Sequence, residues 1–187
     1  MRLILASASL RRSELLTAAR IPFEVRPVEV DESPFDGEDP GAYVTRVARD
    51  KAVAFGTPPA GAVVLTADTT VVVDGEILGK PSDAADAGRM LRLLSGRWHE
   101  VLTGICLRHE GGESASFDVS RVRLLPLEED EIAWYVGTAE PFGKAGAYAI
   151  QGLAARFIDR VEGSYSNVVG LPVSRVYQEL RQLGFFA

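Results

Sequence analysis

One cysteine and two histidines in 187 residues leave no material for an internal disulfide or a cysteine-rich zinc site, so a reducing compartment is expected. No apolar run approaches the ~18 residues that a membrane-spanning helix needs. Basic residues are the minority: 20 Lys plus Arg stand against 26 Asp plus Glu, for a net charge of −6. A chain of that sign repels a phosphate backbone unless its cations cluster, which argues against nucleic acid as a partner. No Gly-x-Gly-x-x-Gly follows a strand, no Gly-Lys-Ser/Thr loop occurs, and there is no serine nucleophile elbow. Residues 1–6 run into Arg11 and Arg12 before they could form the apolar centre of a secretion signal. The expectation is a soluble cytoplasmic protein, with no membrane and no nucleic acid among its partners, that handles a small molecule.

What is present is a globular composition, 47% apolar and 25% charged, which suits one compact domain or one domain of two lobes. Nothing repeats, so residues 1–187 read as a single domain. Residues 2–6 read as a buried strand, followed by a helix of about a dozen residues with Ser9 as N-cap and Leu15, Leu16 and Ala19 facing inward. Residues 23–28 alternate like a strand, and residues 31–40 form an acidic loop. Asp39-Pro40 opens a second helix that Gly56 closes. Residues 62–66 make a β-branched strand with Asp68 at its end. Residues 69–73 continue as strand, up to a hairpin turn at Asp74-Gly75. A helix from about residue 83 is followed by strands over residues 101–107 and 117–124. Acidic residues 128–131 begin another helix, as the dipole favours. Residues 141–152 read as loop or irregular strand, 155–161 as strand, 163–172 as polar loop and 173–183 as the last helix. Intermixed strands and helices define an α/β or α+β class with a mixed sheet.

Several residues look chemical. In Leu5-Ala6-Ser7-Ala8-Ser9-Leu10-Arg11-Arg12 a strand ends in small residues and a helix begins with two arginines. Free N–H groups and small side chains suit an anion there; alternatively the arginines are solvated and pair with Glu14. Lys51 falls on the apolar stripe of its helix, seven residues after Val44 and four after Val47. Its stem either covers the core edge with the ammonium in water, or the ammonium points into a cleft at a phosphate. Asp68 follows a buried strand, where both catalytic carboxylates and plain turn residues occur. Lys80 lies between Gly79 and Pro81, which fix its direction. Asp31-Glu32 could offer oxygens to a hard divalent cation, or be simply solvated. Cys106 reads as buried and inert, and His99 and His109 as poor metal ligands.

These segments, in this order, resemble the Maf family of nucleotide pyrophosphatases. The match continues through Thr66-Ala67-Asp68-Thr69, Ile77-Leu78-Gly79-Lys80-Pro81, the stretch from Leu94 to Val101, Thr103-Gly104, the stretch from Lys144 to Gly152, and that from Gly163 to Pro172. The resemblance implies an elongated mixed α/β fold of two lobes with a central cleft, similar to inosine triphosphate pyrophosphatases. It implies hydrolysis of the α–β bond of nucleoside triphosphates with a divalent metal, magnesium or manganese, and a cytoplasmic enzyme that is often a homodimer. By the same resemblance Asp68 activates water, Ser7, Arg12, Lys51 and Lys80 contact phosphates, and Glu32 joins Asp68 at the metal. Arg11, Thr69 and Gln151 match the specificity positions of members acting on dTTP and UTP. An amide at Gln151 can donate to and accept from the O4/N3–H edge of a pyrimidine. The chain departs from the family at Leu10, where proline is usual, at Ala42, where an acid is common, and at Phe142-Gly143, where Leu-Asp is usual. Two rival functions follow from the same resemblance: a non-catalytic regulator of septum formation, and a purine (inosine, xanthosine or 7-methylguanosine) triphosphate pyrophosphatase.

Overall fold

The computed structural model describes residues Met1–Phe186. Seven strands form one mixed sheet: β1 (Arg2–Leu5), β2 (Glu24–Val25), β3 (Ala62–Val73), β4 (Glu76–Leu78), β5 (Trp98–His109), β6 (Gly112–Leu124) and β7 (Ile158–Glu162), in the order β2-β1-β3-β5-β6-β7 with β4 paired to β3. Among the described residues, six helices accompany it: α1 (Leu10–Ala18), α2 (Pro40–Phe55), α3 (Ala84–Leu94), α4 (Glu129–Gly137), α5 (Tyr165–Val169) and α6 (Val173–Gln182). The expected mixed α/β class is therefore the one observed. None of the helices among the described residues is long and apolar enough to cross a membrane.

The chain divides into two compact units. Unit 1 comprises residues 1–69, 103–118 and Gly170 onward. In it β1 lies parallel to both β2 and β3, with Leu5 opposite Val25 and Leu65. Parallel neighbours need crossover connections, which α1 and α2 supply. Such strands are covered on both faces and read as continuous apolar runs, as Leu3-Ile4-Leu5 and Val63-Val64-Leu65 do, all at most 1% exposed. One face packs Leu3, Leu5, Val63, Leu65 and Ile105 on Leu16 of α1 and Val176 and Leu180 of α6. On the other side, Cys106 lies with Ala48 and Ala52 of α2. A Cβ at Gly104 would come within 2.3 Å of the Val44 carbonyl oxygen, so only glycine lets α2 lie this close to β5.

Unit 2 comprises residues 70–102 and 119–169. Asp74 and Gly75 both take positive φ, 51° and 80°, as a two-residue hairpin between Val73 and Glu76 requires. Its core joins Val71, Leu78, Val122 and Leu124 to Leu91 and Leu94 of α3, Tyr135 of α4, and Phe157. Acidic residues 129–131 fill the first turn of α4, and the Glu131 carboxylate accepts the Glu128 N–H at 2.9 Å.

Local pattern misjudged several boundaries. Residues 23–28 pair over only two residues, because β2 is an exposed edge. Helix α1 has nine residues, and the inward pair is Arg12 and Leu16; Ala19, beyond its end, is exposed. Ser9 caps by backbone alone, and its own N–H goes to the Ser7 hydroxyl at 3.2 Å. Residues 153–157 form a 3-10 turn before β7, and the polar loop 163–172 contains α5. Asp68 lies inside the continuous twelve-residue β3, not at a strand end.

Candidate active site

The alternation of β3 sorts the site. Even positions face α2: the Thr66 hydroxyl donates to the Ala48 carbonyl at 2.6 Å, and Asp68 meets Lys51. The odd position Thr69 meets Arg12 of α1. Side chains of adjacent strand residues point to opposite faces, so one dipeptide links both helices.

Lys51 continues the buried stripe Val44, Val47, Ala48 of α2. It is 6% exposed, so its ammonium does not reach water past the core edge. It donates instead to Asp68 Oδ1 at 2.8 Å and the Ala67 carbonyl at 3.2 Å, and it pairs with Glu32 Oε1 at 2.7 Å. Asp68 is equally buried. Two carboxylates thus share one ammonium, an arrangement that compensates the Lys51 and Asp68 charges that water no longer solvates.

Glu32 arrives from an irregular loop, and Arg46 fastens that loop. Its guanidinium grips the Glu38 carboxylate at 2.7 and 2.8 Å, donates to the Ser33 carbonyl at 3.1 Å, and lies 4.0 Å above the Phe35 ring. The Glu38 bonds raise the Arg46 pKa above its ordinary value and hold Glu38 below the usual carboxylate range. Tyr43 donates its hydroxyl proton to the Glu32 carbonyl at 2.8 Å. Burial, and then the negative charges of Asp68 and Glu32, push the Tyr43 phenol well up, so it remains a donor. Sequence reasoning passed over Arg46 and Tyr43; Arg46 follows the acidic run on the next helix, which is the only signal that could have found it.

Arg12 is 9% exposed. Nε donates to the Gly170 carbonyl at 2.8 Å, Nη1 to the Ser7 hydroxyl at 3.1 Å and Nη2 to the Thr69 hydroxyl at 3.1 Å. Thr69 also hydrogen-bonds the Thr103 hydroxyl at 3.0 Å. A guanidinium has five N–H donors, so two remain for a ligand. Burial lowers the Arg12 pKa, Asp68 and then Glu32 oppose that, and Arg11 adds to it. Half-buried Arg11 is lowered by burial against the pull of Glu14. Neither arginine is simply solvated, and Arg12 is an internal clamp.

The structure therefore brings together Ser7, Arg12, Glu32, Lys51, Asp68 and Thr69 in unit 1, with Arg11 next to Arg12 on α1. Lys80 and Gln151 belong to unit 2 and are both exposed. The Gly146 N–H donates to the Gly79 carbonyl at 3.1 Å, tying the turn before Gln151 to the segment of Lys80. His99 is buried and bonds Tyr148 through Nε2 at 2.7 Å. Cys106 is buried, with its thiol pushed up to about 11 chiefly by burial.

Ammonium, guanidinium and hydroxyl groups beside paired carboxylates on a mixed α/β sheet have the chemistry to meet an anion, with Asp68 as a general-base candidate. The family described as Maf-like protein matches residues 2–183, and the chain belongs to the Maf family. A relative in Koribacter versatilis, named dTTP/UTP pyrophosphatase, is 50% identical over 184 residues, 98% of this chain and 95% of the relative. A relative of the same name in Anaeromyxobacter sp. is 53% identical over 188 residues, covering 98% and 90%. Among solved structures, a HAM1 protein from Coxiella burnetii aligns with a TM-score of 0.44 and 19% identity over 66% of this chain and 73% of its own.

Proposed function

We propose that the protein hydrolyses dTTP and UTP at the α–β phosphoanhydride bond, giving the monophosphate and pyrophosphate. The observation that carries this reading is the buried Lys51–Asp68 pair joined by half-buried Glu32 beside Arg12, in a chain half identical to proteins named for that activity. A triphosphate carries about four negative charges at neutral pH and needs several cations to gather it. Ser7 and Arg12 supply donors from unit 1, and Lys51, whose three N–H groups already face Asp68, the Ala67 carbonyl and Glu32, supplies charge. Lys80 is assigned to phosphate and Arg11, Thr69 and Gln151 to base choice by the family resemblance. The hydroxyl of Thr69, bonded to Arg12, favours action through the arginine.

In the proposed reaction a water oxygen bonds to the α-phosphorus and the bond from that phosphorus to the bridging oxygen breaks. The electron pair leaves with pyrophosphate, and the water proton passes to an Asp68 carboxylate oxygen. No group of three or more His, Cys, Asp or Glu that could hold a metal occurs among the described residues. Two carboxylates on one ammonium nevertheless suit a hard cation, which takes one or two carboxylates and completes its shell with phosphate oxygens and water. Glu32 and Asp68 would hold magnesium or manganese. Such an ion supplies Lewis-acid stabilisation of the phosphoryl charge. A cytoplasmic homodimer belongs to the same reading.

Purified protein with magnesium or manganese is expected to release pyrophosphate from dTTP and UTP far faster than from ATP or GTP. Equal rates would defeat the pyrimidine assignment, and an Asp68→Asn protein with undiminished turnover would remove Asp68 from the chemistry.

A further inference from the structure

Glu140 lies in no motif that carries chemistry, yet its carboxylate gathers two backbone N–H groups and a tyrosine hydroxyl. Its Oε2 accepts the Leu153 N–H at 2.9 Å, and its Oε1 accepts the Ala154 N–H at 3.2 Å and the Tyr135 hydroxyl at 2.9 Å. The Tyr135 oxygen accepts the Ala149 N–H at 3.3 Å. The Gly152 N–H closes the turn onto the Ala149 carbonyl at 3.1 Å. A Cβ on Gly152 would lie 2.3 to 2.5 Å from the Glu140 carboxylate atoms, so the glycine is what admits the carboxylate. Burial works to raise the Glu140 pKa, but the bonds from Leu153, Tyr135 and Ala154 outweigh it and hold the group below the usual range.

These bonds bracket Gln151. Ala149 on one side hangs on Tyr135, and Leu153 and Ala154 on the other hang on Glu140, while Gln151 itself is exposed. We propose that Glu140, with Tyr135 as its relay, is the positioning residue for base selection: it fixes the turn from which Gln151 presents its amide. This rests on Gln151 reading the pyrimidine. A free turn would lose orientation entropy at each binding event; a pinned one is organised beforehand. The carboxylate suits the task because it only accepts. In Glu140→Gln one oxygen becomes an NH2 that faces N–H or O–H donors, so a bond becomes a repulsion.

The test is steady-state kinetics on dTTP and GTP for Glu140→Gln, Tyr135→Phe, Gln151→Ala and the Glu140→Gln/Gln151→Ala double variant. Glu140→Gln and Tyr135→Phe should each raise KM for dTTP about tenfold, with kcat on dTTP and kcat/KM on GTP within about twofold of wild type. The double variant should be no more impaired than Gln151→Ala, since both act through one group. If Glu140→Gln does not fold, Tyr135→Phe, which keeps the core ring, carries the same expectations. Unchanged dTTP preference in Glu140→Gln or Tyr135→Phe, beside its loss in Gln151→Ala, would overturn the inference and leave the base reading intact. Multiplicative losses in the double variant, or equal loss of kcat on both nucleotides, would also overturn it. Retained preference in Gln151→Ala would remove the base reading and this inference together.

Discussion

Removing the ammonium of Lys51 and neutralising Asp68 should cost very different amounts of stability, although both break the same 2.8 Å contact. In Lys51→Met, Asp68 and Glu32 lose their shared cation. The Asp68 side chain is 7% exposed and cannot recover hydration, whereas Glu32 is 34% exposed and partly can. Stranding a buried charge costs about 3–5 kcal/mol, and the solvated partner places this case near 3 kcal/mol. For a chain of this length about 1 kcal/mol corresponds to 2–4 °C, so Tm should fall by roughly 10 °C. In Asp68→Asn the ammonium keeps Glu32 at 2.7 Å and the Ala67 carbonyl at 3.2 Å, and the cost should be about 1 kcal/mol or less. Adding Asp68→Asn to Lys51→Met should therefore recover stability but no turnover. Thermal unfolding of the three proteins, alongside pyrophosphate release, measures this. A Lys51→Met protein as stable as wild type, or an Asp68→Asn protein as unstable as Lys51→Met, would refute the shared-cation argument.

Two further outcomes are expected. Burial pushes His99 down from 6.5 to about 4, and no partner meets its Nδ1. The unfolded chain takes up that proton below about pH 6.5 and the folded chain only near pH 4, so His99 should make stability fall by about 3 kcal/mol as pH drops across that window. Urea titrations should show that His99→Gln flattens this slope. Arg46→Met should free the loop that carries Glu32, accelerating hydrogen exchange at the Phe35 amide, now bonded to Glu38 at 3.0 Å, by about tenfold or more. Exchange unaltered there would contradict the role of Arg46 as the fastener.

Much of the fold was legible because it is written in local chemistry. The runs Leu3-Ile4-Leu5 and Val63-Val64-Leu65 announce doubly covered parallel strands, Asp39-Pro40 a helix start, and Asp74-Gly75 a hairpin. What escaped, the shortness of β2 and the helix α5, concerns brief segments that take their conformation from neighbours. Asp68 was misplaced at a strand end because a carboxylate in a buried strand violates local preference, and only its partner on α2 makes it tolerable.

The linear order of residues determined the class of fold and the family, and it offered Ser7, Arg12, Glu32, Lys51 and Asp68 as candidates, since periodicity and motif are properties of neighbours along the chain. It left Lys51 open between a snorkelling stem and an ammonium aimed into a cleft at a phosphate, and Arg12 between a solvated residue and an anion contact; whether either side chain stays in water was one part of each choice. That part fell to tertiary structure, because a charge's state depends on what replaces its water. Here the replacements are Asp68, seventeen residues from Lys51, and the Gly170 carbonyl, 158 residues from Arg12.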